Sequence, residues 1–132
     1  MNQRISYVSV LVDDYDKAVD YYTRVLGFDL IDDRPIEHGK RWVLVRPAGS
    51  EGTCLLLAQA SGPRQKSRVG DQTGGRVFLF LHTDDFDRDY EVYRSRGVEF
   101  CEEPRQESYG RVAVFNDIFG NKWDLLQLNA AD

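Results

Sequence analysis

Two histidines, two cysteines and the acids at the strand–helix junctions are the side chains in this sequence with the means to do chemistry. His82 and Asp84 stand two apart in FLFLHTDD, so an extended strand would project both from one face, a spacing suited to acid–base work. The competing role for Asp84 is structural, because a carboxylate at a helix start caps free N–H groups. His38 falls in a polar stretch beside Gly39, and neither histidine has a carboxylate at ligand spacing. Cys54 and Cys101 sit in apolar, strand-like segments without a pairing pattern or metal spacing. They read as reduced core thiols, which points to the cytoplasm. GxSxG, a glycine-rich phosphate loop and a cysteine with a positioned histidine are all missing. Gly74-Gly75 reads as a turn, so no catalytic residue is assigned.

The elements that would position these residues occur twice. Tyr7–Tyr22 (YVSVLVDDYDKAVDYY) slides onto Phe78–Tyr93 (FLFLHTDDFDRDYEVY) without a gap, matching Asp13/Asp84, Asp14/Asp85, Asp16/Asp87 and Tyr22/Tyr93. One deletion later Gly27-Phe28-Asp29-Leu30 matches Gly97-Val98-Glu99-Phe100. Two diverged copies of one unit predict a pseudo-symmetric domain with its site where the copies face each other. In the first copy Ile5–Val12 reads as a strand, and Asp13 or Asp14 caps a helix. Its apolar stripe is Tyr15, Ala18, Val19, Tyr22, Val25 and Leu26, and Gly27 stops it. Strands follow at 28–32, 41–45 and 53–59, with 34–40 a polar connection. The second copy repeats this order: strand 77–83, a helix from Asp84/Asp85 to Gly97, then strands 98–101, 111–115 and 122–128. Repeat one is thus 5–59 and repeat two 76–129, each βαβββ, in one domain over 1–132. The Gly- and Pro-rich linker 60–75, with a helical turn at Pro63–Val69, is the only segment long enough to act as a lid.

Composition narrows the function. At 132 residues the chain can build a core without metal or disulfide staples. A net charge of −5, with no basic cluster beyond Arg64–Arg68, argues against nucleic acid. No apolar run approaches a membrane span, and Met1–Arg4 leads straight into a strand, so neither a membrane nor a signal peptide is expected.

The repeat order, Val10–Asp14, the run YYTRVLGF (Tyr21–Phe28) and FGNKWDLL (Phe119–Leu126) together resemble one family over nearly the whole chain. It is the vicinal oxygen chelate superfamily of glyoxalase I, extradiol dioxygenases, fosfomycin-resistance enzymes and bleomycin-resistance proteins. The resemblance implies an α+β fold: two βαβββ repeats curved into an eight-stranded, half-open barrel with helices on the outer face. It also implies two-fold association, and hence a homodimer. The family's metal positions fall on Tyr7, Phe78, Asp124 and Leu56, where a register slip would give Cys54 or Leu55. One carboxylate among four cannot hold a first-row ion, so neither metal nor cofactor is expected. A metal held off that pattern would draw on His82 or His38, and His82 lies about 13 Å along the strand from Phe78.

Strand parity places Val8, Val10, Val12, Leu79 and Leu81 under the helices. The opposite faces present Tyr7, Ser9 and Leu11, then Phe78, Phe80 and His82, with Lys122, Asp124 and Leu126 from the last strand. The ligand-binding set is therefore Tyr7, Ser9, Phe78, Phe80, His82, Asp124 and Leu126. The competing readings are that Phe78 and Phe80 fill the barrel themselves and that Asp124 pairs with Lys122 or Arg111. The parity of Arg41 and Trp42 is open. Three functions compete. The first is a small-molecule binder like the bleomycin-resistance proteins, with a degenerate metal site. The second is a lyase, isomerase or dioxygenase-type enzyme with a non-standard metal. The third is a structural or regulatory module with a self-filled pocket.

Overall fold

The computed structural model describes residues 1–130. The chain divides into two compact units, Met1–Val69 and Gly70–Asp132. The division falls between α2 and β5; the first unit runs βαβββ and the second βαββββ, with one strand more than the expected repeat.

In the first unit β1 (Tyr7–Val12) leads into α1 (Tyr15–Asp20), which continues as a π-helical turn over Tyr21–Val25. Strands β2 (Asp29–Pro35), β3 (Arg41–Arg46) and β4 (Cys54–Gln59) follow, then the short helix α2 (Gly62–Lys66). The sheet order is β1-β4-β3-β2, with β1 parallel to β4 and the other pairs antiparallel. Period-two alternation fixes the faces of β1: Val10 and Val12 are fully buried and Ser9 is exposed. The Asp14 carboxylate accepts from Lys17 N at 2.8 Å and caps α1. Tyr15, Ala18, Tyr22, Val25 and Leu26 are buried as their spacing requires, and Tyr21 joins them. The wider π turn lets the consecutive Tyr21 and Tyr22 both pack inward, their rings edge-to-face at 5.4 Å. Gly27, at φ 77°, donates to Thr23 O and ends the helix. Strand β2 runs to Pro35, deeper into the expected polar connection, because Asp33, Arg34 and Pro35 pair with Val43, Trp42 and Arg41.

The second unit holds β5 (Leu79–His82), α3 (Phe86–Ser95), β6 (Glu99–Phe100), β7 (Arg105–Glu107), β8 (Gly110–Asn116) and β9 (Lys122–Leu128). Its sheet runs β5-β9-β8-β6, with β7 on β8. The described residues therefore form two mixed sheets of four and five strands. The extra strand β7 is the polar segment Arg-Gln-Glu, invisible to hydrophobic patterning. Asp85, not Asp84, caps α3, accepting from Arg88 N at 3.1 Å. The core is aromatic: Phe115 stacks on Trp123 at 5.8 Å and meets Tyr93 and Phe100 edge-on. Leu81 and Tyr93 are buried on the α3 side, as Val10 and Tyr22 are on the α1 side of the first unit. Asp117, 4% exposed, organises the turn into β9. It accepts from the backbone of Phe119 and Asn121, from Asn121 Nδ2 and from Trp123 Nε1.

One expectation about the cysteines fails. Cys54 is buried, but Cys101 is exposed. It directly follows β6, a strand of only two residues, and its N–H still donates to Val114 O at 2.8 Å while the residue lies on the surface.

Candidate functional site

Each sheet has a helix-covered face and an open one. Tyr7, Ser9, Phe80, His82, Asp124 and Leu126 take the open faces of β1, β5 and β9. Phe78, by contrast, precedes β5, which is shorter than the expected strand 77–83. In the first unit Tyr7 and Ser9 alternate with the buried valines, and the β1–β4 register sets Tyr7 beside Cys54 and Ser9 beside Leu56. Trp42 meets Tyr7 edge-on at 5.6 Å. Arg41 is committed elsewhere: its guanidinium reaches Asp16 and Asp33 at 2.7 Å each and lies over the Tyr15 ring at 5.1 Å. Their open parity is thus resolved, with Trp42 beside the expected site and Arg41 tying β3 to α1.

In the second unit the β5–β9 register sets Phe80 beside Asp124 and His82 beside Leu126. Val114 on β8 flanks Asp124 from the other side. Phe80 is 65% exposed, whereas Trp123 and Leu125, its neighbours through the sheet, are buried. Phe78 is half-buried and its N–H donates to Lys122 O at 2.8 Å.

The possible acid–base pair does not form. Leu128 N donates to His82 Nε2 at 3.3 Å, so the imidazole accepts there and secures the end of β9. Asp84 instead takes Arg88 at 2.8 Å.

Asp124 is the polar centre of this face. Its Oδ1 is buried and has no hydrogen-bond partner. Burial pushes its carboxyl above the ordinary carboxylate range; nearby Arg105 opposes that shift and Glu102 adds to it. Arg105 is itself held by Glu102 at 2.9 Å and by Glu107. Neither cation considered for Asp124 reaches it, and Arg111 pairs with Asp87 at 2.8 Å while lying over Phe86.

The positions that the resemblance marks for a metal hold Tyr7, Leu56, Phe78 and Asp124. One carboxylate, one phenol and two hydrocarbons do not fit a first-row divalent ion. Among the described residues no three His, Cys, Asp or Glu side chains gather as a metal centre would require.

Sequence reasoning missed a cavity of about 310 Å³ at one end of the first sheet. Ser6, Tyr7, Leu44, Arg46, Thr53 and Cys54 are among its lining residues. Arg46 closes β3 just before Pro47, and nothing in the sequence distinguishes it from the paired arginines.

Known proteins resemble this chain over nearly its whole length. An uncharacterized protein of Shewanella frigidimarina (strain NCIMB 400) is 54% identical over 130 residues, covering 98% of this chain and 96% of its own. The solved structure of UcmS2 superposes with a TM-score of 0.83 at 31% identity, over 96% of this chain and 98% of that one. TnmS3, an antibiotic binding protein from Streptomyces sp. CB03234, gives a TM-score of 0.78 at 36% identity, over 97% and 98%. A sequence model described as Glyoxalase/Bleomycin resistance protein/Dioxygenase superfamily matches residues 4–125. That match spans most of the chain, which therefore belongs to the glyoxalase, bleomycin resistance protein and dioxygenase superfamily.

Proposed function

We propose that this chain binds a small, planar, partly apolar molecule on its open sheet faces, without the family's metal chemistry. The observation that carries the reading is Asp124: a buried, unpartnered carboxylate oxygen beside the exposed ring of Phe80. A folded protein rarely leaves such an oxygen without a donor, and a ligand N–H or cationic group would supply one. Exposed aromatic surface next to it offers stacking area and a ring quadrupole that attracts cations. Phe78, His82 and Leu126 extend this face; Tyr7 and Ser9 are the first unit's counterparts. The likeness to an antibiotic binding protein supports binding rather than turnover. The same reading takes the chain as one domain and a homodimer.

The test is a thermal-shift screen with matched cationic, neutral and anionic aromatic compounds on the wild type, Phe78→Ala and Asp124→Asn. Cationic and neutral compounds should stabilise the wild type, and both substitutions should reduce the shift. If Asp124→Asn leaves it unchanged, Asp124 is not the recognition residue. Stoichiometric Zn, Ni, Mn or Fe in the purified protein, lost on Asp124→Ala, would favour the enzyme reading instead.

A further inference from the structure

Arg46 stands apart from the other arginines of the sheets and helices. Arg41, Arg88 and Arg105 each hold two carboxylates. Arg46 is half-buried, its Nε is fully enclosed without a hydrogen-bond partner, and no carboxylate among the described residues lies within ion-pair distance of it. In a chain with 22 acidic residues and a net charge of −5 that is a costly arrangement. Arg46 lines the cavity of about 310 Å³ described above, at whose rim the exposed Arg4 also stands. That volume is at the lower end of the range for small-ligand sites. Tyr7, Ile31 and Leu44 give it apolar walls, and Ser6 and Tyr7 bring hydroxyls that make no hydrogen bond among the described residues. The Thr53 hydroxyl is already spent on Ile5 O at 2.7 Å. Glu51 also lines the cavity but is exposed and does not pair with Arg46.

We infer that this cavity is an oxyanion subsite, in which Arg46 receives the carboxylate of a small molecule whose apolar body lies against Tyr7, Ile31 and Leu44. A guanidinium fork matches a planar carboxylate with two parallel N–H···O bonds. Ser6 and Tyr7 add neutral donors. The subsite belongs to the first unit and does not depend on Asp124, which belongs to the second.

The experiment is NMR titration of the full-length, ¹⁵N-labelled protein with benzoate, benzamide and inorganic phosphate. Benzoate should move the Arg46 Nε–Hε signal and the Tyr7, Thr53 and Cys54 amides, and should bind about tenfold more tightly than benzamide. Arg46→Gln should remove that preference, and Asp124→Asn should leave it intact. Equal affinity for benzoate and benzamide in the wild type overturns the inference, whatever the stability of Arg46→Gln. Binding of phosphate in preference to benzoate overturns the assignment of an apolar body. Loss of benzoate binding on Asp124→Asn places the anion in the second unit, which also overturns it. Failure of the cationic screen on Asp124 leaves the Arg46 result standing, so the two readings fail separately.

Discussion

Asp124 should cost the folded protein stability at neutral pH, and that cost is measurable. Its carboxyl is raised by burial, so the folded state binds the proton more tightly than the unfolded state does. Stability contributed by the protonated form is present at acid pH and is lost as pH rises from the unfolded carboxyl range through the raised folded value. Asp124→Asn should therefore raise the melting temperature at pH 7, with the gain shrinking toward pH 4. The gain should stay below about 1 kcal/mol, since part of the carboxyl still meets water. A constant difference across that pH range would mean that Asp124 is not desolvated. Asp117 should behave oppositely. It satisfies three backbone or side-chain donors around the turn and the indole of Trp123, so Asp117→Ala should cost about 3 kcal/mol or more in urea unfolding. The sequence showed which face Asp124 takes, because alternation from Lys122 to Leu126 in β9 is regular. It could not show that Asp124 lacks a partner or that Arg46 does, since hydrogen-bond satisfaction depends on segments distant in the chain. The exposure of Cys101 was hidden for the same reason.

The two helices share a start signal, and only one aspartate of each pair is the cap. Asp14 and Asp85 accept from the backbone N–H three residues on, while Asp13 and Asp84 form exposed pairs with Lys17 and Arg88. Asp85→Ala should cost about 1 kcal/mol, and Asp84→Ala no more than about 0.5 kcal/mol. A larger loss from Asp84→Ala in chemical denaturation would reverse the assignment. The doubled aspartates were legible as a helix start because both copies carry them at the same point. Which of the two turns inward was not, because it depends on one backbone torsion. The π turn was hidden for a related reason: a 3.6-residue period has no place for both Tyr21 and Tyr22 on the inner side. Glycine at Gly70 is a stronger constraint than any repeat comparison suggested. Its φ is 77°, and a Cβ there would stand 1.9 Å from Phe119 O. Gly70→Ala should displace the turn that Asp117 organises, at a cost of about 2 kcal/mol or more.

At the scale of the molecule, neither repeat is large enough to be comfortable alone. Units running Met1–Val69 and Gly70–Asp132 fall below the roughly 70–80 residues at which one hydrophobic core supplies useful stability. On the one-domain reading, Tyr22→Ala and Phe115→Ala, in different units, should lower a single shared melting transition; two separate transitions would contradict it. The strand edges support the proposed homodimer. The first sheet ends in β1 and β2, and the second has β5 at one end. Strand β2 carries its own deterrents in Asp29, Asp32, Asp33, Arg34 and Pro35. Neither β1 (YVSVLV) nor β5 (LFLH) contains an acidic residue, lysine, arginine or proline. Tyr7 and Phe80 expose 49% and 65% of their surface on those strands, and Leu30, Ile31 and Ile36 are exposed on or beside β2. Apolar surface of this kind marks an association site when it is contiguous, and two-fold self-association is the commonest way such surface is covered. Sedimentation equilibrium at micromolar concentration should therefore give twice the 15.2 kDa chain mass. The melting temperature should rise with protein concentration, because dilution favours the unfolded chains. A monomer with a concentration-independent melting temperature would remove the dimer and leave the exposed aromatics of β1 and β5 as ligand surface alone.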